Sequence, residues 1–495
     1  MEGKAVSGAV AGLKLDVCLN GATGDRSFKA ESTFKRYHIS VKEAPPKVRL
    51  PSKYIVKQYN NCINLQECVE ACVYGVHRTR EDGQIAEPIS DSCRRCHVCA
   101  LTCPKSAISI GKNLEFEKMG TPYFTPDRIE TIYFEAETGR VPVSGAGYGG
   151  PFTGRGFDGM WFDFSEIVRP TRDGIHGREY ISTSVDLGRN IPRLEFDGSG
   201  KLLSDVPRTI EIPIPIILDA PLAFATGRNL QIALAKAASA SNTFAITEAK
   251  EYSDDLSAYA SNLIPRIRAD EMGQFQELIG TSRIVEIDFG DVRRMKNVRV
   301  YVRRIKDENP EALVSFRFPY DVESGERAEA LIKEGADIAH LYVDERSVEQ
   351  DPDGVKDAIM NTHFHLVDRN LRDGITLVSS GGIAEASHVP KSIILGADVV
   401  SVGLAYQIAL GCKACHGKAH ATDCPIDVGD GDVEWATQRI LNMMSSWRDQ
   451  LLEVLGGMGL REVRRQRGEI GRVMFNQELE DRVFGDGERC KSDYS

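Results

Sequence analysis

From residue 211 onward, short apolar runs alternate with longer stretches whose apolar residues recur every three or four positions. The runs are Ile214–Leu218, Thr243–Thr247, Leu263–Ile267, Ile284–Phe289, Leu313–Phe318, Ile338–Val343, Ile375–Ser379 and Val399–Val402. Their length suits strands. Between two of them, Leu230, Leu234 and Ala237 fall at i, i+4 and i+7 behind a capping residue, Asn229. Ala328, Leu331 and Ile332 form a similar stripe ahead of Gly335, a helix stop. Eight strands alternating with helices over about 190 residues predict an α/β fold, a (β/α)8 barrel. A doubly wound sheet is the alternative.

Elsewhere the pattern is weaker. Residues 1–50 read as an N-terminal arm, 51–112 as a small metal-binding domain and 113–210 as an irregular connecting segment rich in glycine and proline. The barrel then spans 211–411, and 412–495 hold a cysteine loop and a helical tail. In that tail Leu441, Met444, Trp447, Leu451, Leu452 and Leu455 make an apolar stripe that ends at Gly456-Gly457. The basic run Arg461, Arg464, Arg465 and Arg467 reads as a solvated helix face. Gly145-Ala-Gly147-Tyr-Gly149-Gly150 has dinucleotide-site spacing, but Pro151-Phe-Thr-Gly154 cannot open the helix such a site needs. It is read as a loop.

Net charge is −11, which argues against nucleic acid as a partner. No apolar run reaches the ~18–20 residues of a bilayer span, so no membrane insertion is expected. Met1-Glu2-Gly3-Lys4 lacks the apolar core of a secretion signal. Ten of the twelve cysteines lie in groups, leaving Cys18 and Cys490 alone. Grouped thiols fit metal binding in a reducing cytoplasm better than a disulfide framework.

Those groups carry the chemistry. Cys93-Arg-Arg-Cys96-His-Val-Cys99-Ala-Leu-Thr-Cys103-Pro104 is C-x2-C-x2-C-x3-C-P, the run of two-cluster bacterial ferredoxins. Three thiolates on one loop cap three corners of a cube, and the fourth serves a second cube. Cys62-Ile-Asn-Leu65-Gln-Glu-Cys68-Val-Glu-Ala-Cys72 has the same phase, with Leu65 where a cysteine belongs. Crossed ligation then assigns Cys72, Cys93, Cys96 and Cys99 to a complete [4Fe–4S] cluster. Cys62, Cys68 and Cys103 are left as three ligands for a [3Fe–4S] centre, or an empty degenerate half. After the barrel, Cys412-Lys-Ala-Cys415-His416 and Cys424-Pro425 suggest another cluster, with structural zinc or free thiols as the alternative; His416 and His420 could ligate but read better as solvated histidines on a polar loop. The turns Ser380-Gly381-Gly382-Ile383 and Gly403-Leu404 follow strands seven and eight, where such barrels bind phosphate.

In that order, the ferredoxin motif, barrel, glycine turns and trailing cysteines resemble the archaeal-type large subunit of glutamate synthase. The carrying residues are Asp219-Ala220-Pro221-Leu222-Ala223-Phe224, Gly335-Ala336-Asp337, Ser380–Ile383, Leu395-Gly396-Ala397-Asp398, Ala409-Leu410-Gly411-Cys412 and Gly457-Met458-Gly459. The resemblance covers residues 54–112 and 208–485. It implies an oxidoreductase with FMN in the barrel, touched by Ala220, Pro221, Leu222 and Thr247, and a [3Fe–4S] cluster beside it at Cys412, Cys415 and Cys424. Electrons would pass from the ferredoxin-type clusters to FMN and on to the imine of 2-oxoglutarate and ammonia. Arg317 falls where the family has a flavin-facing lysine, and with Glu248 it is the catalytic candidate. The implied partner is an electron donor or acceptor protein, a ferredoxin or another redox subunit, within a larger complex or a homo-oligomer.

The chain also departs from the family. Tyr342-Val343-Asp344-Glu345-Arg346-Ser347 replaces a glycine-rich loop, and Asp288-Phe-Gly-Asp291-Val-Arg-Arg-Met-Lys replaces a lysine- and glycine-rich segment. The third cysteine group has altered gaps, and Met1 is followed by Glu2 rather than a glutaminase cysteine. The alternative function is therefore an electron-transfer or scaffold subunit with a different or lost substrate.

Overall fold

The computed structural model describes residues 9–10, 13–14, 37–142, 154–164, 181–191, 194–204, 206–219, 227–343, 348, 351–414 and 432–475. Residues 1–39 and 40–495 form separate units, and in the first the described residues include the pair of short strands Ala9–Val10 and Leu13–Lys14.

In the second unit eight parallel strands close on themselves as a barrel. They are β1 (Ile216–Asp219), β2 (Ala245–Glu248), β3 (Leu263–Arg268), β4 (Ile284–Asp288), β5 (Leu313–Pro319), β6 (Ile338–Tyr342), β7 (Thr376–Ser380) and β8 (Val399–Val402). Each apolar run of the sequence became a strand within two residues of its expected bounds, and the doubly wound alternative is excluded. Residues facing the outer helices, among them Val285, Ile287, Val314, Phe316, Ala339 and Leu341, are the buried apolar ones. The period of two then turns Glu286, Ser315, Arg317 and His340 into the barrel.

Helix Arg228–Ser241 buries Leu230, Leu234 and Ala237 as expected, but its N-cap is Gly227, and Asn229 lies inside the helix. The hairpin of Val185–Gly188 and Thr209–Ile212 lies against the start of β7, where Thr376 Oγ1 bonds the Gly188 amide at 2.8 Å. It thus borders the N-terminal end of the barrel and leaves ligand chemistry to the opposite mouth.

Within residues 113–210, expected to be irregular, lies the helix Pro126–Thr138. Thr125 caps it, Pro126 opens it and Gly139 ends it at φ 66°. It packs on the long helix Val433–Gly457, which carries the predicted apolar stripe. Two buried polar side chains fasten this pair to the chain start. Arg439 donates to the carbonyls of Ala409, Ala44 and Tyr133, and Asn442 to those of Lys42, Ala136 and Glu137. The basic run beyond is a solvated face only in part: Arg461 and Arg465 are exposed, and the other two are engaged. Arg464 pairs with Asp186 and Glu211, and Arg467 with Asp373 and Asp398, because these guanidinium groups tie the tail to the barrel and its hairpin.

Among the described residues no helix is long and apolar enough to cross a membrane.

Candidate functional site

The ferredoxin-type segment is built as two matching halves on the antiparallel pair Tyr54–Gln58 and Ile108–Lys112. Each cysteine loop runs into a five-residue helix, Glu67–Ala71 or Val98–Thr102. The loops share an uncommon backbone: Asn64 and Gln66 lie at φ 58° and 63°, Arg95 and His97 at 55° and 61°. Left-handed non-glycine residues at matching places bend each loop around a common centre. Amides then turn toward sulfur, with Asn64 N 3.4 Å from Cys62 Sγ and Arg95 N 3.5 Å from Cys93 Sγ.

The thiols sort into two sets. Burial first, and then Cys72, Cys93 and Cys96 as like-charged neighbours, together push the Cys99 thiol up to about 11. Burial also raises Cys68, whose charged neighbours are Cys62 and Cys103. These are the crossed sets expected from spacing. Lowering such a cost is what a bound cation does, so both sets suit metal. The smaller set lines a cavity with Leu65, whose side chain is 53% exposed and supplies no ligand atom.

Cys412 follows helix Leu404–Ala409 and repeats the loop geometry on a smaller scale. Ala414 is left-handed at φ 51°, and its amide lies 3.3 Å from Cys412 Sγ. Cys415, Cys424, His416 and His420 lie outside the described residues, as do Ala220, Pro221, Leu222, the glycine pattern 145–150 and Asp344–Ser347.

At the barrel mouth the inward side chains form a charge network. Arg266, 2% exposed, donates through Nε to Glu286 at 2.7 Å and through Nη2 to Asp219 at 2.8 Å. Its Nη1 reaches Glu248 at 3.4 Å. Glu286 Oε2 also meets His340 Nδ1 at 2.7 Å and accepts from Ser315 at 3.2 Å, while His340 Nε2 lies 3.0 Å from Ser380 Oγ. Burial alone would raise the Glu286 carboxyl, but His340 and Arg266 outweigh it and hold Glu286 below the usual range. Glu248 is the more open carboxylate. Burial lifts it to about 6, with Arg266 opposing and Asp219 and Glu286 adding.

Arg317 pairs with Asp288 at 2.8 Å and lies 3.5 Å over the Tyr342 ring. Its Nε is buried and has no acceptor among the described residues. Thr247 is buried on β2 beside Glu248. The network brings predicted Glu248 and Ser380 together with Arg266, Glu286 and His340, which were missed. The signal for those three was present: charged or polar residues at alternate positions inside apolar strands, as in Val285-Glu286-Ile287-Asp288.

After β7, Gly381 and Gly382 both adopt positive φ, 93° and 70°. A side chain at Gly381 would overlap the Val343 carbonyl oxygen. The Gly382 carbonyl accepts from Tyr123 Oη at 2.6 Å. The amides of Gly382 and Ile383 meet no acceptor among the described residues, and consecutive free amides at such a turn form an anion-binding concavity. After β8, Gly403 caps the helix that begins at Leu404.

Fold and site together define a (β/α)8 barrel preceded by a two-lobed cysteine segment. Residues 280–461 match the family described as the conserved region in glutamate synthase. An archaeal-type glutamate synthase [NADPH] of Dehalococcoides mccartyi is 25% identical over 482 residues, covering 85% of this chain and 95% of its own length. The archaeal-type glutamate synthase [NADPH] of Thermotoga maritima is 25% identical over 501 residues, covering 89% and 98%. Among solved structures, a flavocytochrome b2 variant with sulfite bound aligns at TM-score 0.40 and 9% identity, over 73% of this chain and 81% of its own. The chain carries the glutamate synthase conserved region, and its resemblance to the archaeal-type proteins extends over most of its length.

Proposed function

We propose that the chain is an FMN and iron–sulfur oxidoreductase of the glutamate synthase type, passing electrons between ferredoxin-type clusters and a flavin at the barrel mouth. The observation that carries the reading is the sorting of seven cysteines into two thiol sets with matching loop geometry. Cys72, Cys93, Cys96 and Cys99 would hold a [4Fe–4S] cluster, and Cys62, Cys68 and Cys103 a [3Fe–4S] cluster. Cys412, with Cys415 and Cys424, would hold a third. The clusters supply single electrons, and FMN joins them into a two-electron step.

This chain's own residues have separable tasks. Amides of the turn Gly381–Ile383, with those of Gly403 and Leu404, would receive the flavin phosphate, and the segment Ala220–Leu222 would line the ring; Thr247, next to the inward Glu248, takes the outward face of β2. Arg317 would place a fixed cation near the ring edge, and its unpartnered Nε is suited to an anionic acceptor there. Glu248 would hold or release a proton near neutral pH. The proposed domains are an arm 1–50, a cluster segment 51–112, a connection 113–210, the barrel 211–411, and a cysteine loop and tail 412–495. The relatives' printed name, glutamate synthase, supports reductive amination of 2-oxoglutarate as the reaction; the cytoplasm as its place, and a ferredoxin or another redox subunit as electron partner in a larger complex or homo-oligomer, complete the proposal.

One observation favours a second reading, a relay subunit or a different substrate. Within the described part of this charge network, Asp219, Glu248, Glu286 and Asp288 outnumber Arg266 and Arg317. An excess of carboxylates disfavours a dianionic 2-oxoacid.

Protein purified without air should contain iron, acid-labile sulfide and FMN. Glutamate formed from reduced ferredoxin, 2-oxoglutarate and ammonia supports the first reading. Flavin and iron without glutamate support the second. Colourless protein lacking both refutes the proposal.

A further inference from the structure

Tyr123 belongs to neither the cysteine segment nor the barrel, and it lies outside the stretch that matches the glutamate synthase region. Its ring is 4% exposed, and its hydroxyl donates to the Gly382 carbonyl at 2.6 Å. That carbonyl also lies 3.1 Å from His388 Nδ1. In a trans peptide the C=O and the following N–H point oppositely. Pulling the Gly382 oxygen toward the Tyr123 hydroxyl therefore aims the Ile383 amide the other way. This is one of the two amides left without an acceptor among the described residues.

Tyr123 is itself held rigidly. The Thr121 hydroxyl accepts from the amides of Tyr123 at 3.3 Å and Phe124 at 2.9 Å. Arg128 lies 4.9 Å over the Tyr123 ring and donates to the Tyr123 carbonyl. The same guanidinium bonds Asp158 at 2.5 Å and Glu385 at 3.4 Å, so a buried ion network fixes it. On the other side, the Gly120 amide donates to the Lys413 carbonyl at 3.1 Å, next to Cys412. One short turn thus touches the Cys412 loop and the glycine turn after β7.

We propose that Tyr123 is a positioning residue that pre-aims the amides of the Gly381–Ile383 turn at the phosphate of a phosphorylated flavin, and so sets the preference for FMN over riboflavin. The inference rests on the flavin reading above. A hydroxyl that only filled space would affect both ligands alike. One that orients phosphate donors acts on FMN alone, because riboflavin lacks the group those amides receive.

The test is flavin binding by full-length protein, followed by fluorescence quenching with FMN and with riboflavin, for wild type and Tyr123→Phe. The variant deletes one oxygen. The expected result is an FMN Kd raised about 5- to 10-fold, the loss of one hydrogen bond's worth of order, with riboflavin Kd and iron content unchanged. Thr121→Ala, which loosens the same turn, should shift the FMN-to-riboflavin ratio the same way by less, and it carries the test if Tyr123→Phe does not fold. Wild type that binds FMN in preference to riboflavin, with that preference intact in both variants, overturns the role of Tyr123 alone. Wild type that binds neither flavin overturns the flavin reading and this proposal with it. Equal weakening of both ligands assigns Tyr123 a purely structural part and also overturns the proposal.

Discussion

Replacing Leu65 by cysteine should convert a three-thiolate site into a four-thiolate one. Backbone geometry makes the substitution readable. Leu65 sits between Asn64 and Gln66 at φ 58° and 63°, and Cys96 sits between Arg95 and His97 at 55° and 61°. A thiol placed at 65 should therefore meet Cys62, Cys68 and Cys103 much as Cys96 meets its own three partners. The folding cost is small. Full burial of a leucine contributes about 2 kcal/mol, and Leu65 is already 53% exposed, so roughly 1 kcal/mol or less is lost. The assay is iron quantitation with EPR on anaerobically prepared protein. Leu65→Cys should gain about one iron per chain and lose the oxidised three-iron signal. Ile63→Cys, equally exposed but out of phase, should change neither. An unchanged iron count and spectrum in Leu65→Cys would refute the ligand assignment, and a gain in Ile63→Cys would refute the geometric argument.

Glu135, buried between helices and hydrogen-bonded by Trp447 Nε1 at 2.9 Å and Ser446 Oγ at 3.1 Å, is pushed up to about 8 by burial. The folded state holds a proton that the unfolded state releases, so stability from this group is full below about pH 4.5 and is lost as pH rises toward 8. Glu135→Gln should flatten that decline, giving a higher Tm than wild type at pH 9 but not at pH 4, read by thermal melts. Arg266→Met leaves Glu286 and Asp219 without their shared cation and should cost about 3–5 kcal/mol in denaturant titration. Gly381→Ala should abolish FMN retention, since the new Cβ meets the Val343 carbonyl at an unfavourable φ; normal FMN content would count against the phosphate turn. Arg317→Ala should lower the flavin's reduction potential in a reductive titration, because the cation favouring the anionic reduced ring is gone.

The barrel was legible because its outward strand faces are continuous apolar runs, and helices between them keep a regular spacing. The cysteine sets were legible because cluster geometry dictates ligand spacing. The Arg266–Glu286–His340 network was not, since it forms only when neighbouring strands set Arg266 opposite Glu286 and Glu286 opposite Ser315. Registry of that kind is a tertiary property. Tyr123 escaped for the same reason, being 259 positions from the carbonyl it holds. The helix Pro126–Thr138 was a different miss: its cap, opening proline and closing glycine were all present, but glycine-rich surroundings masked them.

The fastening of Arg439 and Asn442 to Ala44, Lys42 and the helix at 126–138 has a consequence for biogenesis. Ribosomes make residues 40–138 hundreds of residues before the groups that complete their hydrogen bonds. During that interval the early segment carries carbonyls awaiting donors and an apolar helix face without its cover. A nascent chain arrested before Arg439 should depend on chaperones and degrade readily, and cluster insertion into finished protein should depend on how soon the carboxyl-terminal helix leaves the exit tunnel.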